Sequence, residues 1–432
     1  MQKISPEELY RKFCLHPYIS TDSRKALAGS LFFALKGENF NANMYAAQAL
    51  ENGAAYAVID DEAFFTGEQT LLVDNVLQAL QRLASDYRAQ IRIPVIGITG
   101  TNGKTTTKEL MATALSARFH THATVGNLNN HIGVPITILN IKPETEIAVI
   151  EMGANHIGEI AALCQIARPT HGLITNIGKA HLEGFGSAEG VIKAKSELYD
   201  YLRNHGGRVF VNADNALLMS LTEGMERILY GSSSEADLHG FVSGKGPMLE
   251  VVLDTENDLH VKTRLAGNYN FENLMAAMCI AGHFRVDLGE AVKAVENYEP
   301  RMNRSQIIEN GRNTIIMDAY NANPSSMRVA LANFATVESA QKVLILGDMF
   351  ELGNEAPAEH TAVLQQAVEF GFDVILTAGP LFETAATEFG RVRAFSDVPE
   401  LKAYLEQADI TGAHILVKGS RGMKLETITD SI

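Results

Sequence analysis

No run in this 432-residue sequence approaches the ~18 consecutive apolar residues of a membrane-spanning helix, so no span is expected. Cysteine is scarce. Cys14, Cys164 and Cys279 are far apart and odd in number, which argues against a disulfide framework or a zinc cluster and fits a reducing compartment. They read as small packed hydrophobes rather than nucleophiles. Basic charge is also short: 36 Lys and Arg stand against 51 Asp and Glu, a formal net charge of −15. A nucleic-acid partner, which needs a basic stripe, is therefore not expected, although a local loop can still bind a small anion. The N-terminal Met1-Gln2-Lys3-Ile4-Ser5-Pro6-Glu7-Glu8 lacks the apolar core of a secretion signal. There are no internal repeats, low-complexity tracts or long charge blocks. A cytoplasmic protein is expected.

Hydrophobic residues make up 46% of the chain, ample for packed cores, and the length suggests about three domains of ~150 residues. Residues 1–90 read as a small α/β unit with strands at Ser30–Leu35, Tyr56–Ile59 and Leu71–Val73 and helices at Ala42–Glu51 and Val76–Gln90. Across 91–300, apolar strands (Pro94–Thr99, Ile147–Glu151, Gly172–Asn176, Arg208–Asn212) alternate with helical stretches, which predicts a mainly parallel sheet with helices on its faces. Gly231–Leu265 reads as a β-rich insertion and Asn270–His283 as a helix. In 301–432 the alternation restarts at Thr314–Asp318, Lys342–Gly347, Asp373–Ala378 and His414–Lys418, with a helix at Glu359–Phe370. That is a second doubly wound unit, open at the strand C-termini where ligands gather.

The most informative stretch is Ile96-Gly97-Ile98-Thr99-Gly100-Thr101-Asn102-Gly103-Lys104-Thr105-Thr106-Thr107. A buried strand breaks into a glycine-rich turn and enters a helix from Thr105 to about Ala117. This is a phosphate-loop layout. Backbone N–H groups and the helix N-terminus favour an anion, Lys104 reaches the β- and γ-phosphates, and Thr105 can ligate Mg²⁺. The strict pattern wants glycine at 98, where Ile98 stands; Gly97 precedes it. Ile147–Glu151 is an apolar strand ending in a carboxylate, so Glu151 is the candidate metal acid. The segment from Thr175 to Gly186 places His181 where a second divalent ion could bind, though a single histidine is a weak signal. Gly126-Asn127-Leu128-Asn129-Asn130-His131-Ile132-Gly133 is dense in hydrogen-bonding groups suited to a polar ligand. Lys193 and Lys195, on an amphipathic helix from Gly190 to Tyr199, read as solvated charges.

Together these motifs resemble the Mur ligase family of ATP-dependent amide-forming enzymes, over nearly the whole chain and in the family's three-domain order. The loop Gly100-Thr101-Asn102-Gly103-Lys104-Thr105-Thr106 is the family signature. Glu151-Met152-Gly153-Ala154-Asn155-His156, Ala180-His181-Leu182-Glu183-Gly184-Phe185-Gly186-Ser187 and Asp318-Ala319-Tyr320-Asn321-Ala322-Asn323-Pro324-Ser325-Ser326-Met327 point to its D-alanyl-D-alanine-adding branch. Gly347-Asp348-Met349-Phe350-Glu351-Leu352-Gly353 and Val417-Lys418-Gly419-Ser420-Arg421 add support. The Asp-Asn-Pro-Arg motif of the diaminopimelate-adding relative is absent.

The resemblance implies ATP and two Mg²⁺ ions on Thr105, Glu151, His181 and Lys195, with Lys195 carbamylated. It implies Asn270 and Asn273 on the adenine side, Asp318 on the ribose, and Arg304 near the nucleotide with Arg301 as the fallback. Ser23, Arg24 and Asn39 resemble the UDP-binding segment of the first domain, which departs from the family pattern at Asn41 and Ala42. Asn129, Asn130, His131, Asn155 and Asn321 are expected at the substrates. The implied partners are UDP-N-acetylmuramoyl-tripeptide and D-alanyl-D-alanine, handled by a monomer. A sister ligase that adds a single amino acid to a muramyl peptide, or glutamate to a folate, remains open. So does a non-enzymatic nucleotide-binding regulator, which would keep Lys104 but need not keep Glu151, His181 and Lys195 together. The third peptide residue, lysine or meso-diaminopimelate, is also open.

Overall fold

The computed structural model describes residues 2–25, 28–178, 182–244 and 246–432. Three sheets follow one another along the chain. The first is four-stranded and parallel, ordered Ile19–Ser20, Leu31–Phe33, Tyr56–Ile59, Thr70–Leu72. The second has nine strands with Val95–Thr99 between Ile147–Glu151 and His171–Ile174. The third has six, in which Thr314–Asp318, His414–Lys418, Lys342–Gly347, Val374–Ala378 and Val392–Phe395 run parallel. Its other edge is Gln306–Glu309, antiparallel to Thr314–Asp318 and not foreseen from the sequence. Among the described residues no helix is long and apolar enough to cross a membrane.

The central strands are buried along their whole length. All five residues of Val95–Thr99 and of Ile147–Glu151 are buried, as expected for a sheet covered by helices on both faces. One face carries the helices Lys104–Ser116, Phe271–His283 and Leu288–Glu296. The other carries Gly133–Leu139, Glu159–Ala167 and Ala188–His205, and the helix Val76–Gln90 of the first unit packs into that same core. Val76–Gln90 starts where Asn75 accepts from the Gln78 N–H. It buries Val76, Leu80, Leu83 and Ala84, a stripe at i, i+4, i+7 and i+8.

Two expectations change. Ala42–Glu51 is not one helix: a 3-10 turn at Ala42–Tyr45 leads into Ala46–Glu51. The turn forms because Asn41 Oδ1 accepts from both the Asn43 N–H and its side-chain amide. Gly231–Leu265 is β-rich, as expected, but forms part of the central sheet. Its strands Leu238–Val242, Met248–Leu253 and Leu259–Ala266 extend the central sheet at one edge, the last two pairings antiparallel.

Arg88 fastens the first unit to the second. Near the end of Val76–Gln90, its buried guanidinium donates to Ala167 O at 2.8 Å, Arg168 O at 3.0 Å and Ile91 O at 2.5 Å. These are carbonyls at the C-terminus of Glu159–Ala167 and in the link between units. Arg88→Met should cost about 2–4 kcal/mol of stability, because it leaves buried carbonyls unpaired. It should lower the urea midpoint of the ligand-free chain and leave the ATP KM unchanged; an unmoved midpoint would mean that water replaces these bonds.

Candidate active site

A cavity of about 1490 Å³ opens at the C-terminal ends of the central strands and is lined by all three units, the position expected for ligands on such sheets. Its floor is the turn between Val95–Thr99 and the helix Lys104–Ser116. Gly97 is not part of that turn. It lies within the strand, where a Cβ would press on Leu198 and Pro169 at 3.2 Å. Gly100 and Gly103 are the glycines the turn requires. Gly100 has φ +142° and a Cβ there would lie 2.0 Å from Thr175 Oγ1; Gly103 has φ +78° and a Cβ would lie 2.4 Å from Asn273 Oδ1. The turn is held by the end of the neighbouring strand. Thr101 N–H donates to Asn176 O at 2.9 Å, Asn102 N–H to Asn176 Oδ1 at 2.9 Å, and Thr175 Oγ1 to Asn102 O at 2.6 Å. No side chain caps the helix at Gly103, which leaves its first-turn N–H groups, at Lys104, Thr105 and Thr106, for an anion.

Lys104 Nζ donates to Gly100 O at 2.7 Å and Thr101 O at 3.1 Å. Burial pushes its pKa down, Glu151 partly opposes this, and Arg304 adds to the lowering. Glu151 is 1% exposed rather than a solvated strand end. Its Oε1 accepts from Thr105 Oγ1 at 3.1 Å and Asn129 Nδ2 at 2.7 Å, while its Oε2 is buried without a hydrogen-bond partner. A hydroxyl and a carboxylate side by side, with one oxygen unsatisfied, suit a hard divalent cation. Among the described residues no three His, Cys, Asp or Glu form a metal cage. The Thr105–Glu151 pair fits Mg²⁺, which keeps water and phosphate oxygens as its other ligands. His181 lies outside the described residues. Lys195 is 2% exposed, with its Nζ 3.5 Å from Ala154 O. Its solvated reading fails, whereas Lys193 is exposed as expected. Burial, then the Lys104 charge, lowers the Lys195 pKa to about 7.

Residues 98–281 match the Mur ligase middle domain, 303–421 the glutamate ligase domain of Mur ligases, and 18–88 the Mur ligase family catalytic domain. Two curated relatives are UDP-N-acetylmuramoyl-tripeptide–D-alanyl-D-alanine ligases. That of Escherichia coli (strain K12) is 37% identical, covering 96% of this chain and 93% of its own. That of Bacillus subtilis (strain 168) is 33% identical, covering 98% and 94%. The chain belongs to the Mur ligase family. A crystal structure of MurF from Acinetobacter baumannii superposes with a TM-score of 0.85 at 32% identity, covering 96% of this chain and 92% of that one.

The family residues named from sequence divide into two groups. Thr101, Asn102, Gly103, Lys104, Thr105, Thr106, Glu151, Asn129, Asn130, His131, Asn155, Asn270, Asn273, Arg304, Asp318 and Asn321 line this cavity. Ser23, Arg24, Asn39, Gly100 and Lys195 do not. Ser23 Oγ donates to Gln48, Arg24 is paired with Asp22, and Asn39 is exposed at a hairpin turn of the first unit. Several side chains of the first group are already engaged. Asn270 Nδ2 donates to Ala266 O and Ser305 Oγ, Asn273 Nδ2 donates to Asn270 Oδ1, and Thr107 Oγ1 donates to Asn273 Oδ1. These two asparagines brace the phosphate-loop helix as well as facing the cavity. Asp318 Oδ2 accepts from buried Lys418 at 2.5 Å. Arg304 lies 3.5 Å over the Tyr320 ring.

Sequence reading missed the contacts of Asn102 with the third unit. Asn102 Nδ2 donates to Ser325 Oγ at 2.9 Å and Asn323 Nδ2 donates to Asn102 Oδ1 at 2.8 Å. It also missed Gln78, exposed, and Gln81, half-buried, which lie on Val76–Gln90 at the wall of the cavity.

Lys104→Ala should leave a folded chain with turnover reduced ~10²–10³-fold, the usual loss when one preorganised electrostatic group goes. Near wild-type turnover with an unchanged circular dichroism spectrum would remove the phosphate role from this turn.

Proposed function

We propose that the protein joins D-alanyl-D-alanine to UDP-N-acetylmuramoyl-tripeptide with hydrolysis of ATP to ADP and phosphate, in the cytoplasm, building the peptide of a peptidoglycan precursor. The observation that carries the reading is the convergence of Lys104, the Thr105–Glu151 pair and the third unit's Asn323 and Ser325 on one cavity, in a chain about a third identical over nearly its full length to ligases of that name.

The tripeptide's terminal carboxylate attacks the γ-phosphorus, the bond to the bridging oxygen breaks, and ADP leaves. The neutral amine of the dipeptide then attacks the acyl carbon. Its proton passes to the departing phosphate, and an amide remains. Lys104 meets the charge that builds between two anionic reactants. Mg²⁺ held by Thr105 and Glu151 offsets the same charge when bound. A second ion would take His181 and Lys195, the latter as a carbamate. The low pKa of Lys195, about 7, supports this, because the neutral amine is the form that reacts with CO₂. Asp318 takes the ribose hydroxyls, Arg304 the phosphates, and Asn270 and Asn273 the adenine side. Asn129, Asn130, His131, Asn155 and Asn321 face the peptide substrates. Residues 1–90 hold the UDP-sugar through Ser23, Arg24 and Asn39, 91–300 the ATP, and 301–432 the dipeptide. Asn41 Oδ1 already accepts from Asn43.

The deciding experiment is a matrix of UDP-muramyl tripeptides, with lysine or diaminopimelate at the third position, against candidate amines. Phosphate release and product mass with D-alanyl-D-alanine alone are expected; release with a single amino acid or glutamate would favour a sister ligase. Two variants probe the finer roles. Asp318→Asn loses both the charge that holds ribose and the counter-charge of buried Lys418, so the ATP KM should rise about tenfold, from one charge-assisted hydrogen bond, and the melting temperature should fall. A fall in stability with an unchanged KM would make Asp318 a partner of Lys418 only. Removing CO₂ and bicarbonate should lower wild-type activity and leave Lys195→Ala, already nearly inactive, unaffected; equal activity with and without CO₂ would reject the carbamate.

A further inference from the structure

Lys108 lies one turn beyond Thr105 on the same face of the phosphate-loop helix and is 1% exposed. A buried ammonium is costly unless its donors are matched. Here Nζ donates to Thr124 O at 2.7 Å and Gly126 O at 3.2 Å, and pairs with Glu109 Oε1 at 3.0 Å. The unsatisfied oxygen of Glu151 lies 4.0 Å away. Thr124 in turn accepts the Glu151 N–H on its Oγ1 at 2.9 Å. Three residues beyond Gly126, Asn129 holds the other oxygen of Glu151. Lys108 therefore grips the start of the amide-rich loop at two carbonyls, and that loop grips both the backbone and the carboxylate of Glu151.

We propose that Lys108 is a positioning residue for the metal site: it sets the loop 124–129 against Glu151 so that one carboxylate oxygen is held on Thr105 and Asn129 and the other stays without a hydrogen bond. Lys108 does not line the cavity. The role rests on the metal reading of the Thr105–Glu151 pair and extends it to a residue with no place in the phosphate-loop pattern. Groups that orient a metal ligand are worth about 10–100-fold in metal affinity.

The test is calorimetric binding of ADP to the full chain, with Mg²⁺ and with a chelator, for wild type, Lys108→Met and Thr124→Val. The near-isosteric valine leaves Lys108 in place and cuts only the bond from Thr124 to Glu151, so it decides the matter if the methionine variant does not fold. The Mg²⁺-dependent gain in ADP affinity should fall about tenfold in Lys108→Met and less in Thr124→Val, while metal-free ADP affinity stays near wild type. A merely structural lysine would lower the melting temperature and leave that gain untouched. A wild-type protein whose ADP affinity ignores Mg²⁺ would overturn the metal reading, and this inference with it. A wild type that shows the gain, beside a folded variant that keeps it, would overturn the role of Lys108 alone.

Discussion

One buried carboxylate organises the site. Taking an acid out of water costs several kcal/mol even after the protein relaxes around it, and Glu151 is 1% exposed. What compensates it also builds the site. The hydroxyl of Thr105 fixes the first turn of the phosphate-loop helix to the end of a central strand, and the amide of Asn129 fixes the polar loop to the same point. Both bonds fall on one oxygen, leaving the other buried without a hydrogen-bond partner. Strand, helix and loop are thus registered on a single group before any ligand arrives, which is the preorganisation that electrostatic catalysis needs.

The phosphate loop also reports on the third unit. Asn102 exchanges hydrogen bonds with Asn323 and Ser325, and Asn323 caps the helix Pro324–Thr336 through Ser326. Between the two units runs a segment in which Met302, Asn303 and Ser305 all have positive φ, a conformation L-residues adopt at a cost. Contacts made directly on the loop give the cavity a wall from the third unit.

Much of this was legible in the sequence, and the exceptions have physical causes. The phosphate loop reads clearly because Gly100 and Gly103 answer to backbone geometry, which few other residues satisfy. The misplaced Gly97 reflects sheet packing against Leu198 and Pro169, so the strict pattern mixes two unrelated demands. Lys195 looked solvated because its neighbours on the helix are charged. Its spacing carried the opposite signal, since Val191, Lys195, Leu198 and Leu202 fall on one buried face. The edge strand Gln306–Glu309 was hidden because half-exposed residues at a sheet edge leave little periodicity. Gln78 and Gln81 were hidden because polarity toward a cavity and polarity toward bulk solvent look the same in one dimension.

The central claim is that a carboxylate is activated as an acyl phosphate and then captured by an amine. It is tested most directly by following oxygen. With both oxygens of the tripeptide's terminal carboxylate labelled with ¹⁸O, the account predicts that one label leaves in inorganic phosphate and one stays in the new amide, read by mass spectrometry of both products. Unlabelled phosphate, with ATP consumed and both labels still in the peptide, would contradict it.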